Sequence, residues 1–202
     1  MPDGKKIVGL TGGIASGKTI VAEHLRGFGA CVISADLIGK QVMTEETGML
    51  TWIRDTFGEE YFDRGGQLIR KKLGDLVFRH PDKKKLLDDK IFPLIHSIML
   101  SKIQDGLKDS NLVVVDAAMI FEWGIENEFD ILLTVISSNE KIIERLKSRD
   151  GFDLGQVTSR LSSQIPPSEK AAKSDYIIVN NSSLEALREE TEKFYRLITK
   201  SA

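Results

Sequence analysis

Residues 12–19 read Gly12-Gly13-Ile14-Ala15-Ser16-Gly17-Lys18-Thr19, which fits the pattern G-x-x-x-x-G-K-S/T of the loops that wrap nucleotide phosphates. The apolar residues 7–10 precede this loop and predict a buried strand, and residues 20–25 predict a helix that leaves it. This order of strand, loop and helix points backbone N–H groups and the positive end of a helix dipole at one small volume. The pattern therefore predicts a site for a purine nucleoside triphosphate with Mg²⁺.

Each residue type in the loop suits a different part of that ligand. Glycine at positions 12 and 17 permits backbone angles and a close approach that a Cβ would obstruct. Lys18 brings a mobile positive charge to the β- and γ-phosphates, and the Thr19 hydroxyl is a ligand for Mg²⁺. The residues expected to contact the nucleotide are Gly12, Gly13, Ile14, Ala15, Ser16, Gly17, Lys18, Thr19 and Ile20.

The composition is typical of a globular chain with an ordinary core. The 202 residues are 41% hydrophobic and 29% charged, which predicts one domain. The net charge of −2 gives no general reason to expect a nucleic acid as partner. No apolar run approaches the roughly 20 residues of a membrane span, the N-terminus lacks a secretion signal, and Cys31 is the single cysteine. We therefore expect a cytoplasmic protein without a membrane partner.

Apolar runs along the chain predict the other strands. They lie at residues 31–34, 112–116, 131–136 and 176–179. Continuous apolar strands that alternate with helices indicate an α/β fold, here a five-stranded parallel sheet covered by helices on both faces. Asp36 follows the second strand and Asp116 ends the third, at the edge where open parallel sheets bind ligands.

The segment between the second and third strands is helical in pattern. Pro81 and Pro93 both suit first-turn positions, and a helix is expected to follow Pro93 as far as about Leu107. We read this segment as an insert that floors a pocket. The predicted single domain, 1–202, then has a core at 1–40, 111–150 and 174–202, a helical insert at 41–110 and a lid at 151–173.

Cations recur every four residues on the predicted helix after the fourth strand. Lys141, Arg145 and Arg149 share one face, where like charges repel by a few tenths of a kcal/mol per pair. We interpret Lys141 as part of a solvated face. Because the preceding strand ends near the phosphate loop, we expect Arg145 and Arg149 to bind phosphate. The polar segment that follows includes the cations Arg160, Lys170 and Lys173. It predicts a basic flap able to close over the triphosphate and exclude water.

Two other classes of phosphate-loop protein fit poorly. The run Asp36-Leu37-Ile38-Gly39 matches the D-x-x-G of GTP switches, but it lies only 17 residues beyond Thr19 and no N-K-x-D follows the fourth strand. A nucleic-acid motor needs a longer chain with a basic channel. Transfer of the γ-phosphoryl group to a small acceptor remains, with Lys18 and Arg145 as cations and Asp36 or Asp116 as the carboxylate. The acceptor itself stays open at this point.

The chain resembles the dephospho-coenzyme A kinases. Residues 9–19, Gly-Leu-Thr-Gly-Gly-Ile-Ala-Ser-Gly-Lys-Thr, and residues 34–38, Ser-Ala-Asp-Leu-Ile, are similar to the family pattern GLTGGIGSGKS followed by DAD. Further similar segments are residues 69–78, 114–117, 121–122, 145–146, 149–150, 160, 164, 166–167, 169–170, 172–176 and 180–181. The resemblance therefore covers nearly the whole chain and is more specific than the loop alone.

The resemblance implies an activity and roles for particular residues. Members of this family use ATP to phosphorylate the ribose 3′-hydroxyl of dephospho-coenzyme A, the last step of coenzyme A synthesis. The family aspartate at the acceptor hydroxyl falls on Asp36, and its arginine on the helix after the fourth strand falls on Arg145. The insert, including Arg70 and Lys72, would bind the acceptor, with Asp116 nearby. The small-molecule partners expected are thus ATP, Mg²⁺ and dephospho-coenzyme A.

Several positions depart from the family pattern. Ser34 replaces the first aspartate of DAD, Ala15 replaces a loop glycine, Ile20 replaces a hydroxyl residue, Phe92 replaces a histidine and Ala118 replaces a proline. None of these changes removes Lys18, Thr19, Asp36 or Arg145, so an active enzyme is expected. A kinase for another small nucleoside or sugar acceptor and an inactive binder of nucleotide or coenzyme A are the alternatives.

Overall fold

The structure, a computed structural model, describes residues 4–150 and 153–200, without the side chains of residues 47, 149, 150 and 154. Two compact units divide the chain. The first unit comprises the residues up to 34 and those from 101 on, and the second comprises residues 35–100. Within the described ranges, no helix is both long and apolar enough to cross a bilayer.

The first unit is built on a parallel sheet of five strands. They are β1 (Lys6–Gly12), β2 (Cys31–Ser34), β3 (Leu112–Asp116), β4 (Ile131–Ile136) and β5 (Tyr176–Val179), in the spatial order β2-β3-β1-β4-β5. All neighbouring pairs are parallel. Every residue of β3 is buried, as expected for a strand covered on both faces. The predicted fold class is confirmed.

Ten helices alternate with these strands in the described part of the chain. They are α1 (Lys18–Gly27), α2 (Ala35–Glu45), α3 (Thr47–Phe57), α4 (Arg70–Arg79), α5 (Pro81–Asp109), α6 (Ile120–Trp123), α7 (Asn139–Asp150), α8 (Leu154–Ser162), α9 (Pro167–Ala172) and α10 (Leu184–Thr199). The helices α2, α3 and α4 lie in the second unit, which also holds residues 81–100 of α5.

The main core of the first unit lies between the sheet and two helices. Leu25 of α1 and Phe194 of α10 are fully buried against strand residues such as Val114 and Leu133. Each such side chain contributes about 1.5–3 kcal/mol when it is removed from water. A smaller cluster joins Ile142 of α7 to α8, and the loop residues Ile14 and Ala15 pack against it. The phosphate loop is thus supported by packing as well as by the strand that feeds it.

The helix start expected at Pro93 is wrong. Pro81 starts α5, as predicted, but Pro93 lies inside this helix and starts no helix of its own. A proline in a helix interior costs about 3 kcal/mol. Buried Ile91, Ile95 and Met99 recur every four residues on the same helix, and each contributes about 1.5–3 kcal/mol. The continuous apolar stripe therefore outweighs the lost hydrogen bond.

Candidate functional site

The phosphate loop leaves β1 at Gly12 and enters α1 at Lys18, and its two framing glycines are required by their surroundings. Gly12 has φ 148° and Gly17 has φ 105°, both in the region that favours glycine. A Cβ on Gly12 would lie 2.2 Å from the Val135 carbonyl oxygen, and one on Gly17 would lie 2.3 Å from Asn180 Nδ2. The loop is therefore closed tightly against β4 and against the residue that follows β5.

Ala15 adopts the left-handed conformation within the loop, with φ 55°. An L-residue with a Cβ pays about 1–2 kcal/mol for this conformation. The Ala15 carbonyl oxygen accepts a hydrogen bond from Arg145 Nη1 at 3.1 Å. The loop thus keeps a glycine-like backbone at a position occupied by alanine, with an arginine holding its carbonyl.

Asn180, directly after β5, fastens the loop to the edge of the sheet. Its side-chain Nδ2 donates to the Ser16 carbonyl oxygen at 2.7 Å, in a buried hydrogen bond. Its own carbonyl oxygen accepts from Arg145 Nη2 at 3.0 Å and from Ser137 Oγ at 2.6 Å. The asparagine is 6% exposed, so that water competes little for these hydrogen bonds. Asn180 therefore fixes the loop and the arginine together.

Arg145 lies on α7 with its guanidinium group against the loop. Buried Ile142 and Leu146 on the same helix hold α7 in place. Nη1 donates to Ala15 and also to Ser137 Oγ, at 3.2 Å. A guanidinium group has five N–H donors, so its charge lies beside the loop while part of its donor set holds the backbone. The Arg149 side chain lies outside the described part of the chain, and phosphate binding by both arginines stays a prediction.

Lys18 and Thr19 occupy the first turn of α1. Lys18 is half-buried and Thr19 is exposed. No acidic residue stands in this first turn, and the N-cap residue Gly17 has no side chain that could cap the helix. The first N–H groups of a helix have no intrahelical partner and carry its positive dipole end. This helix end therefore suits an anion, with an ammonium group and a hydroxyl group beside it.

The sheet edge beside the loop carries a buried carboxylate. Asp116 ends β3, in register with Leu10 on β1 and with Ser34 on β2, and is 7% exposed. Since the carboxyl ends of parallel strands share one edge, Asp116 lies at the same edge as the loop that leaves β1.

The two other predicted acceptor residues belong to the second unit. Asp36 is exposed in the first turn of α2, two residues after Ser34. Arg70 is the first residue of α4 and is exposed, although partial burial lowers the pKa of its guanidinium group below the ordinary value. Both charges therefore stand at the beginning of a helix.

A comparison with protein families decides what kind of chain this is. The family model described as dephospho-CoA kinase, CoaE, matches residues 6–186. The chain belongs to the dephospho-CoA kinase family. A Staphylococcus aureus dephospho-CoA kinase is 35% identical over 188 residues, 93% of this chain and 91% of that protein.

Solved structures extend this likeness to the fold of the dephospho-CoA kinase family. A Campylobacter jejuni dephospho-CoA kinase has a TM-score of 0.65 at 29% identity, covering 97% of this chain and 98% of that one. A Thermus thermophilus protein has a TM-score of 0.79 at 26% identity, covering 96% of this chain and 97% of that one. The likeness therefore extends over nearly the full length of each chain.

A second polar cluster in this dephospho-CoA kinase fold lies where α6 meets α9. Lys170 is fully buried, and its Nζ lies 2.8 Å from Glu122 Oε1. Nζ also donates to the Ala118 carbonyl oxygen at 2.6 Å. Glu122 Oε1 accepts from the Ile165 backbone N–H at 3.0 Å. The Glu122 carboxylate, on a side chain that is 12% exposed, thus holds both ends of the segment from residue 165 to residue 170.

The resemblance to the dephospho-CoA kinases includes Asn180, Gln164 and Glu122, for which the sequence predicted no role. Lys170 was predicted as a cation of the basic flap, whereas the structure buries its side chain against Glu122. A signal existed for Asn180, which directly follows an apolar strand at the ligand-binding edge. For Glu122 and Lys170 the pairing depends on the packing of α9 beside β1 and β4, which spacing along the chain does not reveal. Among the residues that the structure describes, no group of three or more His, Cys, Asp or Glu side chains could hold a metal ion.

Proposed function

We propose that this chain transfers the γ-phosphoryl group of ATP to the ribose 3′-hydroxyl of dephospho-coenzyme A, giving coenzyme A and ADP. The observation that carries the proposal is the family match over residues 6–186, which includes the phosphate loop with Lys18 and Thr19 at the start of α1. This reaction completes coenzyme A biosynthesis. A cytoplasmic location stays a prediction from the composition.

The nucleotide side of the proposed site is the loop and the cations beside it. The Ile14 and Ser16 N–H groups already have acceptors within the protein. The other backbone N–H groups of residues 13–19 and the Lys18 ammonium group would bind the β- and γ-phosphates. Arg145 stands against the loop through Ala15 and Ser137, and we propose that its remaining N–H donors bind the transferred group. Cations around that group stabilise the charge that spreads over its equatorial oxygens in the transition state.

Mg²⁺ suits the donors that the loop offers. The Thr19 hydroxyl is exposed at the first turn of α1 and is a hard oxygen donor of the kind this ion prefers. Mg²⁺ usually takes only one or two protein ligands and completes its shell with water and phosphate oxygens. Thr19 would therefore hold the ion, which when bound neutralises charge on the phosphates.

The acceptor side of the proposal depends on Asp36, Arg70 and Asp116. In the proposed step the 3′-oxygen forms a bond to the γ-phosphorus, the bond to the ADP oxygen breaks, and the hydroxyl proton passes to Asp36. An exposed carboxylate at the start of α2 is free to accept that proton and to orient the hydroxyl. Arg70 would bind the acceptor through its positive charge, and Asp116 is the alternative carboxylate.

The test is ADP release from Mg-ATP with dephospho-coenzyme A, compared with adenosine and AMP as acceptors, with the product identified by its mass. Selective turnover to coenzyme A is the expected result. Turnover only with another acceptor would keep the phosphate machinery and reject the proposed substrate. Binding of both ligands without ADP release would instead indicate an inactive binder.

A further inference from the structure

The contact between Gln164 and the phosphate loop suggests how α9 acts on nucleotide binding. Gln164 Oε1 accepts a hydrogen bond from the Ile14 backbone N–H at 3.2 Å. The ring of Pro167, the first residue of α9, lies close by, since a Cβ on Gly13 would be 3.6 Å from Pro167 Cγ. The peptide between Gly13 and Ile14 is therefore held by the segment that leads into α9.

The orientation of this peptide matters for an anion. The N–H of Ile14 and the C=O of Gly13 belong to one planar group and point in opposite directions. The Gly13 oxygen accepts from the Ser16 N–H at 3.2 Å, which closes the turn of the loop. Because glycine tolerates many backbone angles, a rotation of this peptide costs little at Gly13. Such a rotation would break the turn and misplace a carbonyl dipole in an anion site.

Gln164 is itself held by the buried pair of Glu122 and Lys170. The next residue, Ile165, donates its N–H to Glu122, and Lys170 binds Glu122 and the Ala118 carbonyl oxygen. Lys170 continues this connection through its own carbonyl oxygen, which accepts from Ser174 Oγ at 2.8 Å. The segment from residue 165 to residue 170, which directly follows Gln164, is thus fixed at both ends by one ion pair.

An ion pair is a costly way to hold two elements together. Burial removes both charges from water, and apolar side chains of similar volume often stabilise a fold equally well. Such a pair does offer directed hydrogen bonds. Glu122 takes a particular N–H, that of Ile165, and Lys170 takes a particular carbonyl oxygen, that of Ala118. These directed contacts fix the orientation of the segment, which apolar packing alone would not do.

We propose that Glu122 and Lys170 are positioning residues that hold Gln164 on the Ile14 N–H and so keep the phosphate loop ready for nucleotide. The proposal rests on the proposed kinase function. The proposal gives the segment from residue 164 to residue 170 a role in the affinity for ATP. Glu122 and Lys170 act through Gln164, without touching the reacting atoms.

Three variants separate positioning from simple packing. Gln164→Ala removes the contact with the loop and leaves the ion pair intact. Glu122→Leu with Lys170→Met removes both charges together and keeps the volume. The combined triple variant closes a thermodynamic cycle, in which residues that act through one another are not additive. The matched control is Glu192→Gln, which breaks an exposed ion pair with Arg196 on α10.

The expected result is a rise of about tenfold in the KM for ATP in Gln164→Ala, the equivalent of one lost hydrogen bond to the loop. The KM for dephospho-coenzyme A should change less than twofold. The double variant should show the same rise, and the triple variant no further rise. Amide hydrogen exchange of the peptide that contains residues 12–19 should be faster in all three variants, and unchanged in the control.

Three results would overturn the proposal. The first is an unchanged KM for ATP in Gln164→Ala. The second is a folded double variant with the wild-type KM for ATP and wild-type amide exchange of residues 12–19, or a KM for ATP that rises further in the triple variant. The third is failure to fold of both the double variant and a further single variant, Glu122→Gln. The ion pair of Glu122 and Lys170 would then be structural only. Failure of the proposed function is distinguished by the wild-type protein, which would then not convert dephospho-coenzyme A at all, whereas loop exchange could still be measured.

Discussion

The side chains proposed for the site differ in burial and hydrogen bonding between the phosphate loop and the helical second unit. In the first unit, Arg145 and Asn180 are half-buried or buried and each makes several hydrogen bonds to the loop and its neighbours. In the second unit, Asp36 and Arg70 are exposed at helix starts. The residues proposed for the nucleotide side are therefore held by hydrogen bonds within the protein, whereas the side chains proposed for the acceptor side are exposed. Substitutions should accordingly have different consequences in the two units.

Lys18→Ala should have the largest effect. Loss of the ammonium group at the start of α1 removes charge from phosphate binding and from the transition state together. We expect kcat/KM for ATP to fall roughly 10³-fold. Steady-state kinetics and calorimetric titration with Mg-ATP measure the two effects. Lys193→Ala, which breaks an exposed pair with Glu190 on α10, is the matched control. Near-normal nucleotide affinity would show that the backbone of the loop binds the phosphates without the Lys18 ammonium group.

Asp36→Asn should come next and should affect turnover alone. The amide keeps the shape of the side chain but does not accept the proton, so kcat should fall about 10²-fold or more. Binding of Mg-ATP should be unchanged, which is measured by titration on the same preparation. Normal turnover would transfer the acceptor role to Asp116. Loss of Mg-ATP binding together with loss of turnover would contradict the contrast drawn between the two units.

Asn180→Ala should lower stability and nucleotide affinity together. The substitution removes the 2.7 Å hydrogen bond from the amide to the Ser16 carbonyl oxygen, which keeps the longer one of 3.5 Å from Arg145 Nη1. A hydrogen bond contributes about 0.5–1.5 kcal/mol to stability. Thermal unfolding should show a lower Tm, and the KM for ATP should rise. An unchanged Tm would mean that the loop is less tightly organised than its hydrogen bonds indicate.

Ala15→Gly should change stability only slightly. Glycine removes the cost of about 1–2 kcal/mol for φ 55°, but it adds about 0.5–1 kcal/mol of conformational entropy to the unfolded chain. The free energy of unfolding should therefore rise by at most about 1.5 kcal/mol. Chemical denaturation of both proteins at one temperature measures the difference. A clear loss of stability would show that the Ala15 side chain contributes more through packing than its backbone costs.

Glu185→Gln should have the smallest effect and sharpens the comparison with Asp36. Glu185 also stands in the first turn of a helix, α10, where its own backbone N–H and then the Ser183 hydroxyl lower the pKa of its carboxyl group. A lowered pKa in the folded state stabilises the fold at pH values above the unfolded pKa. That contribution disappears as the pH falls through the folded pKa. The variant should therefore show a slightly flatter loss of stability in acid, with normal turnover at neutral pH.

Local sequence signals located the strands and the loop after β1 correctly. The apolar runs predicted all five strands, and the pattern of residues 12–19 predicted the loop between β1 and α1. Pro93 shows where such signals fail, because three buried side chains on α5 outweigh a local helix breaker. The contacts of Asn180 with the loop and of Lys170 with Glu122 were not predicted. Several partners of these residues lie more than 40 residues away along the chain, as the hydrogen bonds from Asn180 to Ser16 and from Lys170 to Ala118 show.

The sequence by itself determined the fold class, the phosphate loop and the family resemblance. Strands, loops and helices are encoded by neighbouring residues, and a nucleotide loop needs its glycines, lysine and threonine in one continuous stretch. Only the tertiary structure decided what holds that loop. Buried hydrogen bonds and a buried ion pair form between strand ends and helices that are distant in sequence, and their strength depends on exclusion from water. That exclusion is a property of the packed molecule, which no single stretch of sequence contains.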